Sequence, residues 1–218
     1  MLENPPIHLF DRYAAYMAMP HPLQILNTSK DPWSTCLALI SAAHCTDAAV
    51  NKMLPNFLKV YPDYKSVAGK TKEDLIPLLP GISHSGNKAE YILNWAKYLN
   101  DSNGMADMSI AALTKVKGIG RKTAGILQFT VSGIDEALPL DVHCLRILDR
   151  LDWFKPTKNA DVREKQLLPL IPIGKRFQTF TILTQHGRHV CGALQPKCSV
   201  CLFKDVCAFQ LNRALFHN

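Results

Sequence analysis

The chain has 218 residues, 47% of them hydrophobic and 20% charged, with a net charge of +7 and a pI of about 9.0. That length suits one large domain or two small ones around a well-buried core. No apolar run approaches the roughly 20 residues of a membrane span, and the positive balance favours an anionic partner such as nucleic acid.

Met1 to His8 carries an acid and prolines rather than a basic-then-apolar signal, so a cytoplasmic protein is expected. Asp31-Pro32 is a helix start, an N-cap followed by proline in the first turn. The run Trp33 to His44 then reads as a strongly buried helix. Thr46-Asp47 opens another, with Val50, Met53, Leu54, Phe57 and Leu58 on its apolar face. Further helices are predicted at about Lys72–Leu79, Lys88–Leu99, Ile110–Val116, Arg121–Ser132, Asp141–Leu151, Asp161–Leu170 and Gly174–His186. Only Thr130–Ile134 has any strand character. The expected fold class is all-α, with irregular structure around the last cysteines.

Of the seven cysteines, Cys36, Cys45 and Cys144 lie at otherwise apolar helical positions and read as reduced, buried thiols. The other four are spaced Cys191-x6-Cys198-x2-Cys201-x5-Cys207. Four soft thiolates in one short polar segment suit either tetrahedral zinc or an iron–sulfur cluster.

Between two helical stretches lies Val116-Lys117-Gly118-Ile119-Gly120-Arg121-Lys122-Thr123-Ala124. Gly118 and Gly120 relax the backbone and leave its amides uncovered at the start of a helix, an arrangement that binds phosphate. Lys117, Arg121 and Lys122 add positive charge. The functional reading is a sequence-independent clamp on a nucleic-acid backbone; the plain one is a helix corner with a glycine cap.

Hairpin and cysteine segment, in this order and about seventy residues apart, resemble endonuclease III and the helix-hairpin-helix DNA glycosylases. The resemblance spans nearly the whole chain. It is carried by Thr46-Asp47 with Val50-Asn51-Lys52, Gly118 to Ala124, Leu140-Asp141-Val142-His143, His186-Gly187-Arg188 and the cysteines. It implies a six-helix barrel domain over about 26–136. A second domain would combine 1–25 with 137–218, and DNA would lie in the groove between them. It implies a [4Fe–4S] cluster on Cys191, Cys198, Cys201 and Cys207. It implies a monomer that acts on double-stranded DNA with damaged bases or abasic sites.

Lys122 matches the family's catalytic lysine and Asp141 its second catalytic residue. Attack by Lys122 requires the amine without its proton, which a neighbouring Arg121 cation and removal from water both favour. Asp141, after Pro139, also reads as a helix N-cap. The expected activity is excision of oxidised pyrimidines followed by β-elimination at the abasic site. Uracil, mismatched or alkylated bases form the alternative range, and a non-catalytic DNA-binding or redox-sensing protein is a third reading. His44 stands where the family usually has a wedge glutamine, and the loop Gly81–Gly86 reads as longer than usual, with Ile82 or His84 at the second wedge. Val142 replaces a threonine beside Asp141. His143, Arg188 and Lys197 complete the expected DNA contacts.

Overall fold

A computed structural model describes residues 19–155 and 157–216, with side chains described as far as residue 212. Among the described residues there are helices and turns and no strand, and no helix is long and apolar enough to cross a membrane. The chain divides into two compact units, 20–134 and 135 onward. Residues 1–18, expected to join the second unit, lie outside the described residues.

The first unit contains α1 (Ile25–Thr28), α2 (Pro32–Ala42), α3 (Asp47–Val60), α4 (Lys72–Leu75), α5 (Ser85–Asp101), α6 (Ile110–Leu113) and α7 (Arg121–Ser132). Helix α2 is its axis. Every residue from Trp33 to Ser41 is buried, as expected of a helix that is apolar all round. Helices α3, α5 and α7 pack around it. Asp31 starts α2 by accepting the Ser34 amide at 2.8 Å, with Pro32 in the first turn. The indole of Trp33 donates to the Tyr61 carbonyl at 3.2 Å, and that of Trp95 to the Pro32 carbonyl at 3.1 Å. Two buried donors are thereby satisfied without interrupting the core.

Several predicted bounds are corrected. Helix α2 ends at Ala42 rather than His44, because His44 turns into the left-handed region at φ 55°. The helix predicted over Lys72–Leu79 is α4 followed by a short 3-10 turn, Ile76–Leu78, in which Pro77 has no amide to donate. Helix α5 begins three residues before the predicted Lys88, so Ser85 and Gly86 belong to it and the preceding loop is shorter than read. Helix α6 stops at Leu113, before the predicted Val116. The strand-like Thr130–Ile134 is the last turn of α7 and its cap, Gly133 at φ 72°. There a left-handed glycine ends the helix by donating to the Phe129 carbonyl.

The second unit contains α8 (Val142–Leu151), α9 (Ala160–Leu167), α10 (Arg176–His189) and α11 (Ala208–Phe216). Helices α8 and α10 form its main pair. Gly187 makes their close approach possible, since a Cβ there would stand 2.7 Å from the His143 Cβ. Helix α10 is capped from far away in sequence. Asp135 accepts the amides of Arg176 at 2.9 Å and Phe177 at 2.8 Å. The Arg176 guanidinium in turn donates to the carbonyls of Glu136, Ile171 and Leu168. Arg163 is fully buried, paired with Asp149 at 2.5 Å and placed 5.6 Å from the Phe154 ring.

Candidate nucleic-acid interface and cysteine centre

The hairpin between α6 and α7 alternates in and out. Val116 and Ile119 are buried, while Lys117, Gly118 and Gly120 are exposed. The two glycines differ in what they do. Gly118 has φ 100°, and a Cβ on it would lie 2.2 Å from Cγ of Tyr91, so no other residue fits. Gly120 has an ordinary φ of −83° and nothing within 4 Å of a built Cβ. Its open side faces out at the start of α7, where it supplies no side-chain cap.

Lys117, expected at a phosphate, is paired with Glu90 of α5 at 2.5 Å. That bond and that charge raise the Lys117 ammonium above its ordinary value and lower the Glu90 carboxyl below its own. Arg121 and Lys122 occupy the first turn of α7. Arg121 is half-buried and Lys122 exposed. The desolvation expected at Lys122 is therefore not supplied by the chain, and would have to come from a bound partner.

A second corner of the same unit brings together residues about forty apart in sequence. His44 (φ 55°) and His84 (φ 56°) are both exposed, with rings 6.4 Å apart and 77° to each other. Between them, the Ser83 hydroxyl donates to the His44 carbonyl at 2.7 Å and the Ser83 amide to the Cys45 sulfur at 3.2 Å. Lys88 reaches the same corner from α5. Burial raises the Cys45 thiol, but the bonds from Ser83 and the Lys88 charge outweigh it and hold the thiol below its ordinary value. Cys45, expected to be buried, is instead half-exposed at the end of this turn, whereas Cys36 is buried as expected and its thiol is pushed well up by burial. Ile82 is only 6% exposed and belongs to the core, so of the two expected second-wedge residues His84 is the presented one.

In the second unit Asp141 caps α8. Its Oδ1 accepts the amides of His143 and Cys144, both at 2.9 Å, and its Oδ2 accepts from the Thr184 hydroxyl of α10 at 3.3 Å. The carboxylate is 8% exposed. Cys144 lies 3.5 Å from the Thr184 oxygen, and burial drives its thiol far up, so it keeps its proton. The Cys144 S–H points to the Phe180 carbonyl at 4.0 Å. Thr184 was not recognisable from the sequence. It is one of several threonines in an apolar helix, and only packing against α8 selects it. Val142, next to Asp141, is 71% exposed. His143 is turned to Arg146, whose Nη2 lies 3.1 Å from its Nδ1.

The cysteine segment is held by two arginines one turn apart on α8. Arg146 donates to the carbonyls of Gly187 and Cys191 at 2.8 and 3.0 Å. Arg150 donates to Gly192 and Ala193, both at 2.7 Å, and to the Cys191 sulfur at 3.1 Å, with its guanidinium 4.6 Å from the Phe209 ring. Cys191, Cys198, Cys201 and Cys207 all line one small pocket. Among the described residues no three His, Cys, Asp or Glu side chains are arranged to hold a single metal ion. Four thiols around one pocket, with a guanidinium on one of the sulfurs, fit a multi-iron cluster with thiolate ligands. Burial is the main cause that pushes the Cys207 thiol up, and Cys191 and Cys198 add to it. His186 stands 3.5 Å from the Cys201 sulfur and edge-on to Phe203, and burial lowers its imidazole to about 4. Arg188 and Lys197 are exposed.

Residues 37–172 match the family described as the HhH-GPD superfamily base excision DNA repair protein. Endonuclease III of Escherichia coli (strain K12) is 31% identical over 195 residues, which are 88% of this chain and 90% of that protein. The fold aligns with a trapped endonuclease III–DNA covalent intermediate at a TM-score of 0.84 and 26% identity, covering 95% and 96% of the two chains. A thermostable thymine-DNA glycosylase shares the fold at a TM-score of 0.82 and 18% identity, over 94% of this chain and 95% of that one.

Proposed function

The chain belongs to the HhH-GPD superfamily of base excision DNA repair proteins and, within it, to the endonuclease III family, and on that premise we propose how its own residues divide the work of a bifunctional DNA glycosylase and abasic-site lyase. The substrate is double-stranded DNA bearing oxidised pyrimidines or abasic sites. The target nucleotide is extruded from the stack before reaction. Lys122 is the nucleophile. Its neutral amine adds to C1′ of the sugar, the glycosidic bond breaks, and its electron pair leaves with the base. Opening of the C1′–O4′ bond leaves an iminium on Lys122. That iminium acidifies the C2′ proton, whose loss expels the 3′ phosphate by β-elimination. Water then hydrolyses the imine and frees the lysine.

Asp141 takes the proton from the attacking amine and faces the positive charge that grows on the sugar as the base departs. Two backbone amides on Oδ1 and the Thr184 hydroxyl on Oδ2 fix its orientation for both tasks. Gly118 and Gly120 bring the hairpin backbone to the phosphates, with Lys117, Arg121, Arg188 and Lys197 as charge partners and His143 beside Asp141. His44 and His84 fill the gap left by the extruded nucleotide.

Cys191, Cys198, Cys201 and Cys207 would hold a [4Fe–4S] cluster. Bound there, it supplies four iron–thiolate bonds that tie the loop carrying Lys197, and no step of base excision passes through it. The observation that carries the reading is an exposed lysine in the first turn of the helix after an outward-open Gly120, in a chain similar to one trapped covalently on DNA.

Borohydride trapping tests it. Duplexes carrying thymine glycol, uracil or an abasic site are incubated with the protein and then reduced. A covalent adduct is expected with thymine glycol and the abasic site, absent in Lys122→Ala at unchanged melting temperature. No adduct with any of the three would refute the lyase. Iron and sulfide content, with absorbance at about 400 nm, tests the cluster; stoichiometric zinc would overturn it.

A further inference from the structure

Lys88 is 4% exposed and sits in the first turn of α5, its amide bonded to the His84 carbonyl at 3.0 Å. A cation at that end opposes the dipole of its own helix, and a buried ammonium is costly unless its protons are matched. All three are matched elsewhere. Nζ donates to the carbonyls of Ser41 at 2.8 Å and Ala43 at 2.5 Å, and to the Cys45 sulfur at 3.3 Å. Ser41 and Ala43 belong to the carbonyl end of α2, where a cation is favoured. Lys88 therefore does nothing for α5 and fixes the turn that follows α2.

That turn carries His44. From the other loop, Ser83 fastens the same turn through the His44 carbonyl and Cys45. The outcome is a pair of exposed imidazoles, each on a non-glycine residue in the left-handed region, meeting edge to face at 6.4 Å. Backbone of this kind persists only where its surroundings impose it, and it gathers at functional sites. The His84 ring does not cap α5, since His84 occupies the N-cap of that helix without a side-chain bond to it.

We propose that Lys88 is a positioning residue that locks His44 and His84 into one two-ring insert, and so determines which base pairs the enzyme opens. The proposal rests on the base-excision reading above. Two flat rings held at a fixed angle can replace the stacking lost when a nucleotide leaves the duplex and press on the base left opposite. Rings free to move separately would do so without preference among opposite bases.

The test compares wild type, Lys88→Met, Ser83→Ala, His44→Ala, His84→Ala and the double histidine variant. Each is assayed for excision of thymine glycol opposite all four bases, and for borohydride trapping on a preformed abasic site. Fluorescence of 2-aminopurine opposite the lesion reports stacking directly. Lys88→Met and Ser83→Ala are expected to lower excision about ten-fold and flatten the opposite-base ranking, with abasic-site trapping within about two-fold of wild type. The double histidine variant should be no worse than the more damaged single one. Ser83 is exposed, so Ser83→Ala decides the matter if the core variant does not fold. Multiplying effects of the two histidine changes, or an unaltered ranking in the folded Lys88 and Ser83 variants, would overturn the proposal. Failure of the wild type to trap at all would instead strike the base-excision reading.

Discussion

Replacing each hairpin glycine by alanine separates architecture from DNA contact. At Gly118 the methyl group meets two penalties. The backbone sits at φ 100°, and the new Cβ falls 2.2 Å from Cγ and 2.4 Å from Cβ of Tyr91. Left-handed backbone costs a residue with a side chain about 1–2 kcal/mol. Forcing a methyl into packed atoms costs about 1–3 kcal/mol. Together they predict a loss of about 2–5 kcal/mol, or roughly 4–20 °C in the melting temperature of the 218-residue chain. At Gly120 neither penalty exists, because φ is −83° and nothing lies within 4 Å. Its alanine variant should melt within about 0.5 kcal/mol of wild type. It should nevertheless bind duplex DNA about ten-fold more weakly, because the methyl stands between backbone and phosphate. Calorimetry and fluorescence anisotropy on both variants give the comparison. A Gly118→Ala protein as stable as wild type would refute the seating of the hairpin on Tyr91. A Gly120→Ala protein with full affinity would refute the approach of DNA at that point.

Asp141→Asn keeps an oxygen for the two amides of α8 and should lose little stability, whereas Asp141→Ala should lose about 0.5–2 kcal/mol with the cap. Both should lose base excision, and full excision by the asparagine variant would reduce Asp141 to a cap. Gly187→Ala places a Cβ 2.7 Å from that of His143, so α8 and α10 must part at a cost of about 1–3 kcal/mol. A calorimetric melting temperature equal to wild type would contradict that crossing.

How much of this could be read from the sequence depended on distance along the chain. Asp31-Pro32 and Thr46-Asp47 are local signals, and each caps the helix it announces. Glycine in the hairpin was recognised, but which of the two the fold requires depends on Tyr91, twenty-seven residues earlier. Thr130 and Val131 suggested a strand because β-branched residues favour one; packing of α7 on α2 overrode that preference. Left-handed His44 and His84 gave no local warning, since Ser83 and Lys88 impose them across the fold. From the sequence Lys88 is only the first residue of a predicted helix, and its three acceptors lie some forty-five positions earlier. Thr184 and the Asp135 cap are hidden for the same reason, each acting on a residue some forty positions away.

The basic residues divide by what they hold. Lys88, Arg146, Arg150 and Arg176 all donate to carbonyls of the chain itself, and Arg163 is fully buried against Asp149. Their N–H groups are spent on protein oxygens, so fewer donors remain for phosphate. Cations that meet phosphate, with the exposed Lys197 as a candidate, displace ions condensed on the DNA, and each such contact steepens the fall of affinity with salt by about 0.9 in the log–log slope. The ionic-strength dependence of binding thus counts the surface cations that meet phosphate, and a chain of net charge +7 will look less basic to DNA than its composition suggests.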